Sequence, residues 1–329
     1  MIENKKSSIL LILKVLEEYS DEEHFLTQQE IIDKIRENYG IELERKSVAF
    51  SLSLLQELDY DINKSSRGGY ALFSRQFDVS EIRYITDALF SSKSISGKQA
   101  SDLSCKVNAC LSKYQRKKYN YIYKSTQINR SENKELFYTL ELIEEAKQRG
   151  KRVSFEYLTF DKNGKAQSRM NGFRYIVSPY YSVNSNGGYY LICNYREKYK
   201  PISCFRLDYM IKPRIEDDWP IKPIDTLKDL KHFDIAEYLN NNLYLLDGEV
   251  INAEIEVLNE ESVQYVVDYF GKNATIREKD GKIIASIKCN ENALFYWYMQ
   301  YSEVMTILSP RSLIDRVKAE AERILKKYE

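Results

Sequence analysis

The apolar residues change their period at Gly150. Upstream, KKSSILLILKVLEEY (5–19), TQQEIIDKIRENYG (27–40), ERKSVAFSLSLLQELDYDI (44–62) and NKELFYTLELIEEAKQRG (133–150) repeat every three to four residues, the spacing of helices with one buried face. Downstream, KRVSFEYLTF (151–160), FRYIVSPYYSV (173–183), YYLICNY (189–195) and ISCFRLDYMI (202–211) alternate as strands do. A chain built this way is an α+β multidomain protein, and 329 residues are too many for one small core.

At the front, Ile9, Leu10, Leu13 and Leu16 or Val15 form the stripe of a first helix. Thr27 followed by Glu30 is a capping box that opens a second, and Gly40 is its expected stop. After a very short connection, a third helix turns Val48, Leu52 and Leu55 inward and Lys46, Ala49, Phe50, Ser53 and Gln56 outward. In DINKSSRGGYALFSRQF, Ser-Ser-Arg-Gly-Gly makes a turn between two short extended segments, and the only charges from Ile62 to Phe77 are Lys64, Arg67 and Arg75. Three helices of this size also occur in interaction modules, but joined to a basic hairpin they read as a winged helix-turn-helix over residues 1–77. Its predicted partner is a double-stranded DNA operator. The predicted contacts are Arg45, Lys46, Ser47, Ala49, Phe50 and Ser53 on the third helix and Lys64, Ser66 and Arg67 on the wing.

Residues 78–135 read as a helical connector. DVSEIRYITDALFSS opens on an N-cap, Gly97-Lys98 reads as a loop, and LSCKVNACLSKYQRKKYNYIYK (103–124) reads as one further helix carrying Lys113, Arg116, Lys117 and Lys118. That cation cluster is either a solvated face or a surface for DNA backbone.

Overall, 49 Lys/Arg balance 49 Asp/Glu, but the balance hides a polarity. Residues 1–80 carry 10 basic against 15 acidic side chains (−5), residues 93–214 carry 24 against 10 (+14), and residues 215–329 carry 14 against 22 (−8). The basic middle suits phosphates or docking against the acidic flanks. Five cysteines without a Cys-x-x-Cys pair, and two histidines far from them, argue for reduced thiols and against a zinc site. No phosphate-binding glycine loop, nucleophile elbow or zincin motif is present, so the chain reads as no enzyme and as needing no cofactor. The first apolar run is too short and too interrupted by charge for a membrane span, which gives a cytoplasmic reading.

The four alternating runs after Gly150, separated by DKNGK, NSNGG and REKYKP, predict a small antiparallel sheet or barrel. In the third run Tyr190, Ile192 and Asn194 share one face, and Tyr189, Leu191, Cys193 and Tyr195 the other. Tyr189 and Leu191 read as core. For Tyr157, Tyr190 and Arg206 two readings stand: a site where aromatic faces stack on bases and an arginine fork takes phosphate, or a packed barrel in which Arg206 pairs with Asp208.

Residues 152–214 resemble a WYL domain. The likeness rests on Tyr189-Tyr190-Leu191 in the third strand, Tyr157 ending the first, Ser178-Pro179 with Tyr180 and Tyr181 in the second, and Phe205-Arg206-Leu207-Asp208 in the fourth. Tyr189 stands where Trp is usual and Tyr209 where a basic residue often follows the Asp. The order of parts is also similar to that of the family's transcription regulators: winged helix, connector, WYL domain (136–219, a small Sm/SH3-like β-barrel) and a C-terminal extension, WCX (220–329). Residues 220–329 fit the last part with strand, helix, strand pair across Asp280-Gly281, helix, strand and helix, a ferredoxin-like order. Regulators of this type often carry Arg-Asp where Phe50 and Ser51 stand.

The resemblance implies a sequence-specific transcription regulator, a repressor, that dimerises through its extension and senses a nucleic-acid or nucleotide ligand at the WYL domain. The implied ligand residues are Tyr157, Arg174, Ser178, Tyr180, Tyr190, Asn194, Arg196 and Arg206. The alternative is an RNA- or single-strand-binding accessory protein that uses the WYL sheet as its main surface.

Overall fold

The computed structural model describes residues 8–118, 131, 133–195, 201–227, 230–246 and 248–329. The chain divides into two compact units at Lys134/Glu135, N-terminal helices first and sheets after.

The first unit begins with α1 (Ser8–Tyr19), α2 (Gln28–Tyr39) and α3 (Arg45–Glu57), which bury Leu11, Ile12, Val15 and Leu16 against Ile31, Ile32 and Ile35 and against Val48, Leu52 and Leu55. The stripe on α1 is thus rotated from the expected one, and Leu10 is 61% exposed. Ile-Leu-Leu-Ile-Leu is apolar at every position, so it cannot phase its own helix; the partners do. Thr27 Oγ1 accepts from Glu30 N at 3.2 Å while Glu30 Oε2 accepts from Thr27 N at 2.7 Å, and Gly40 ends α2 at φ +68°.

Two short strands follow, β1 (Ile62–Lys64) and β2 (Tyr70–Leu72), paired antiparallel with Ile62 opposite Leu72. The Ser20 hydroxyl donates to Leu16 O at 2.7 Å and accepts from Leu72 N at 3.0 Å, pinning the hairpin to the end of α1. Arg75, expected among the hairpin's outward cations, turns back instead. Its guanidinium donates to the carbonyls of Glu17 (2.9 Å), Cys110 (3.4 Å) and Ser20, and burial lowers its pKa. Arg75→Ala removes these bonds at once and is expected to cost about 1–2 kcal/mol, read as faster hydrogen exchange in β2.

The connector holds α4 (Val79–Ser91), α5 (Gly97–Asn108) and α6 (Lys113–Lys118). Gly97-Lys98 therefore opens a helix, behind a Ser96–Gln99 capping box. The run expected to be one helix over 103–124 breaks after Asn108, because Ser112 and Gln115 cap a new start: Ser112 Oγ accepts from Gln115 N and Gln115 Oε1 from Ser112 N, both at 3.0 Å. Residues 119–124 lie outside the described residues.

Ser112 also donates to buried Asp21 Oδ2 at 2.6 Å, and Asp21 Oδ1 meets His24 Nδ1 at 2.6 Å, with the His24 ring stacked 3.6 Å from Tyr114. Burial pushes the Asp21 pKa up, but bonds from Ser112, His24 and the Glu23 backbone outweigh it and hold the carboxyl below its usual value. A depressed folded pKa contributes stability above the unfolded value of about 3.9 that is lost as pH falls through the folded one. Hydrogen-exchange protection of α1–α3 is therefore expected to drop as the pH falls below about 4 in the parent protein and to be flatter in Asp21→Asn.

The second unit opens with α7 (Leu136–Gln148), which ends ahead of Gly150 at φ +63°. Its first sheet contains β3 (Lys151–Phe160), β4 (Ala166–Ser168), β5 (Arg174–Ser185), β6 (Gly188–Asn194), β7 (Ser203–Arg206) and β8 (Met210–Pro220). The order is β4-β3-β5-β6-β7, with β8 on β3, all antiparallel. The fourth alternating run is not one strand: a 3-10 turn at Leu207–Tyr209 carries the chain from β7 across to β8, so the sheet curls from one edge toward the other. Asn186 (φ +50°) and Gly187 (φ +75°) form the tight turn between β5 and β6, the two successive positive φ values that match strand twist.

After α8 (Ile235–Asn241), the chain forms β9 (Val250–Val257), α9 (Val263–Phe270), β10 (Ala274–Lys279), β11 (Lys282–Asn290), α10 (Glu291–Tyr301), β12 (Met305–Ser309) and α11 (Arg311–Leu325). The sheet order β10-β11-β9-β12 and the alternation of elements are those of a ferredoxin-like unit, with Trp297, Ile255 and Leu294 fully buried between helices and sheet. No helix among the described residues is long and apolar enough to cross a membrane.

Candidate functional site

In the first unit, α3 and the hairpin present the expected side chains outward. Arg45, Lys46, Ala49, Phe50 and Ser53 are exposed on α3, with Ser47 half-buried; Lys64, Ser66 and Arg67 are exposed on the hairpin. The opposite face of α3 is anchored by Val48, Ser51, Leu52 and Leu55, and Ser51 Oγ lies 3.5 Å from Ser8 Oγ. Gln56, read as outward-facing, spends its amide on Ile62 O (2.8 Å) and so fixes the hairpin to α3. Arg45 donates to Gln29 Oε1 at 3.1 Å, and Lys64 lies 5.6 Å from the Tyr70 ring centroid. The surface can offer cations around a central strip of short and apolar side chains.

In the second unit, the inward faces of β3, β5 and β7 build an aromatic cluster. Phe205 sits 5.2 Å from Phe155 and 5.3 Å from both Tyr157 and Tyr175. Tyr157 lies at its edge, where its hydroxyl accepts from Arg206 N at 3.1 Å, and burial pushes its pKa up to about 12. The neighbouring residue on β7, Arg206, points to the other face, where Tyr190 is its cross-strand partner on β6. Tyr190 folds back toward Gly188, whose missing side chain leaves room for the ring: a Cβ there would come within 2.9 Å of it.

Arg206 is an ion-paired residue. Its Nε donates to Asp208 Oδ1 at 3.1 Å and its Nη2 to Asp208 Oδ2 at 2.7 Å, a forked pair made possible by the 3-10 turn that brings residue 208 back under residue 206. The Asp208 side chain is 0% exposed and that of Arg206 31%. The guanidinium also lies 4.3 Å from the Tyr209 ring centroid, and Nη1 makes no hydrogen bond among the described residues. Burial raises the Tyr190 pKa, with Arg206 opposing. Tyr157, Tyr190, Arg206, Asp208 and Tyr209 thus form one small centre with a protected ion pair and an edge-on contact between the Tyr157 and Tyr209 rings.

Other expected ligand residues do not join it. Arg174 faces the opposite side of β5 from Tyr175 and donates to Ser154 Oγ (2.7 Å) and Lys212 O (3.1 Å). Ser178 and Tyr180 are buried and hold the segment after β8, accepting from Lys222 N (3.0 Å) and donating to Lys222 O (2.8 Å). Asn194 is buried and donates to Pro201 O at 2.9 Å. Ser178 and Tyr180 support the sheet because chain that follows β8 covers that part of it, packing Ile224, Phe233 and Leu239 over Tyr180 and Ile192, while Asn194 ties the end of β6 to Pro201, ahead of β7. Arg196 lies outside the described residues. Leu191 is core as expected, but Tyr189 is only half-buried. Asp208 and Tyr209 were not predicted as site residues; the Arg-x-Asp-Tyr spacing signals them only once the turn at 207–209 is known.

A family model for the WYL domain matches residues 138–215, α7 through most of β8, and one for the WCX domain matches residues 249–325. The chain is a WYL-domain protein with a WCX domain. Two solved structures are similar across 98% of this WYL–WCX chain: proteasome accessory factor B/C (PafBC) of Arthrobacter aurescens, at 14% identity and TM-score 0.29, and a CRISPR Cas-related protein, at 15% identity and TM-score 0.37. The WYL–WCX chain spans 49% of the PafBC chain and 84% of the other. A search of curated proteins found no match. The forked Arg206–Asp208 pair and its tyrosines fall inside the WYL match, and α3 and the hairpin fall outside both.

Proposed function

We propose that this WYL–WCX protein is a sequence-specific DNA-binding transcription regulator that works by binding rather than catalysis. Its first three helices and hairpin act as a winged helix-turn-helix on a double-stranded operator. The observation that carries this reading is the outward face of α3, where Arg45, Lys46, Ala49, Phe50 and Ser53 are exposed beside a hairpin that exposes Lys64, Ser66 and Arg67. The curled WYL sheet, read as a Sm/SH3-like barrel, senses a nucleic-acid or nucleotide ligand at Tyr157, Tyr190, Arg206 and Tyr209. The ligand's phosphate takes Nη1 of Arg206, the guanidinium nitrogen that Asp208 does not occupy, and its base stacks on a tyrosine, while Asp208 keeps the fork in place. A homodimer through the WCX domain supplies two reading heads, and ligand binding shifts the dimer between DNA-competent and incompetent arrangements by differential affinity.

The protein acts as a repressor. A reporter fused to the DNA upstream of its own coding sequence is expected to fall when the protein is supplied and to recover with Lys46→Ala/Arg67→Ala; equal expression in all three conditions rejects the reading. The aromatic surround of Arg206 favours one alternative, an RNA- or single-strand-binding accessory protein, which predicts tighter binding to single strands than to any duplex.

A further inference from the structure

We infer that Phe50 reads thymine methyl groups in the major groove, so that each operator half-site presents thymine beneath the middle of α3. This rests on the DNA-binding reading above and deepens it. Phe50 is 71% exposed, the most exposed phenylalanine among the described residues, on a helix whose other large apolar residues are buried (Val48, Leu52 and Leu55) or half-buried (Leu54). The register of α3 is fixed from the inner side by those residues and by Ser51, 3% exposed, so Phe50 cannot roll inward without dismantling the three-helix core.

The surroundings say what covers it. Glu44 precedes α3 and Glu57 ends it, and between them the exposed side chains are neutral or cationic. Lys46 lies one turn before Phe50 on the same face and Ser53 one turn after, with Lys64 and Arg67 exposed on the adjacent hairpin. An apolar ring framed by cations complements a polyanion that also offers an apolar spot, and in the major groove that spot is the thymine C5 methyl. Phe has no donor or acceptor with which to read guanine or adenine edges. Arg45, the residue on α3 best suited to guanine, is drawn to Gln29. The short side chains of Ala49 and Ser53 let the helix approach closely enough for the ring to touch.

The full-length protein is used to enrich duplexes from a random library, and the enriched site is then rebuilt with deoxyuridine replacing thymine one position at a time, which deletes only the methyl group. The inference expects one or two positions per half-site at which deoxyuridine weakens binding about five- to tenfold. In Phe50→Ala the same replacements have no effect, while Phe50→Leu keeps part of it; thermal unfolding checks that the variants fold, and the parent protein's deoxyuridine series stands without them. Specific enrichment with no deoxyuridine effect overturns the inference and leaves the DNA-binding reading intact. Failure to enrich any duplex overturns both, and assigns Phe50 to contact with another protein.

Discussion

Lys46→Ala combined with Arg67→Ala is expected to weaken binding to the proposed operator by about 10- to 100-fold and to lower the slope of log affinity against log salt by about 2, because each lost cation releases one fewer counterion. Both side chains are exposed, one on α3 and one on the hairpin, and among the described residues neither makes a side-chain hydrogen bond or ion pair whose loss would disturb the fold. The thermal midpoint is therefore expected to stay within about 2 °C, since surface changes of this kind fall within about 0.5 kcal/mol. Fluorescence anisotropy at several salt concentrations reads both quantities, and unchanged affinity would move the DNA surface elsewhere.

Arg206→Ala is expected to destabilise the second unit by about 2–3 kcal/mol, a value below that of a wholly buried pair because part of the guanidinium reaches water. The cost arises because the Asp208 carboxylate, 0% exposed, loses its fork. Removing both partners in Arg206→Ala/Asp208→Ala is expected to cost less than Arg206→Ala alone, the signature of a lost charge pairing rather than of lost packing. The chain's two tryptophans, Trp219 and Trp297, both lie in this unit and report its unfolding by fluorescence. If the double variant restores stability but not the response to ligand, Arg206 has a role beyond holding Asp208; if it restores both, the pair serves the fold alone.

The capping box at Thr27, the N-cap at Asp78, the inward face of α3, the hairpin turn at Gly68 and the strand–helix order of the WCX domain could all be read from local residue spacing. Such features are decided within a few residues by backbone hydrogen bonding and side-chain alternation. What could not be read required distant partners. The phase of α1 is set by Ile31 and Leu52 rather than by its own uniform run, and Arg75 looks like a free hairpin cation until the carbonyls of Glu17, Ser20 and Cys110 are brought to it.

The same limit shaped the candidate ligand site. Tyr157, Tyr190 and Arg206 were legible as a group through the WYL resemblance and the cost of burying an unpaired arginine; the pairing of Tyr190 with Arg206 and the bond from Arg206 N to the Tyr157 hydroxyl are what the structure adds. Ser178 and Tyr180 share that sheet, but a later segment of chain binds and covers them, and buried Asn194 is spent on Pro201 O, neither of which alternation can show. Arg206 was weighed as a phosphate ligand or as a partner of Asp208. The pair is present, and it occupies Nε and Nη2, so the ligand role narrows to Nη1.

Binding of the full-length protein to its own upstream duplex and to a scrambled duplex of equal composition, across a salt series, tests the central claim most directly. The account predicts at least a hundredfold preference for the upstream duplex that persists as salt rises, on top of a phosphate contribution common to both. Equal, steeply salt-dependent affinity for the two duplexes, with tighter binding to single strands, would contradict it.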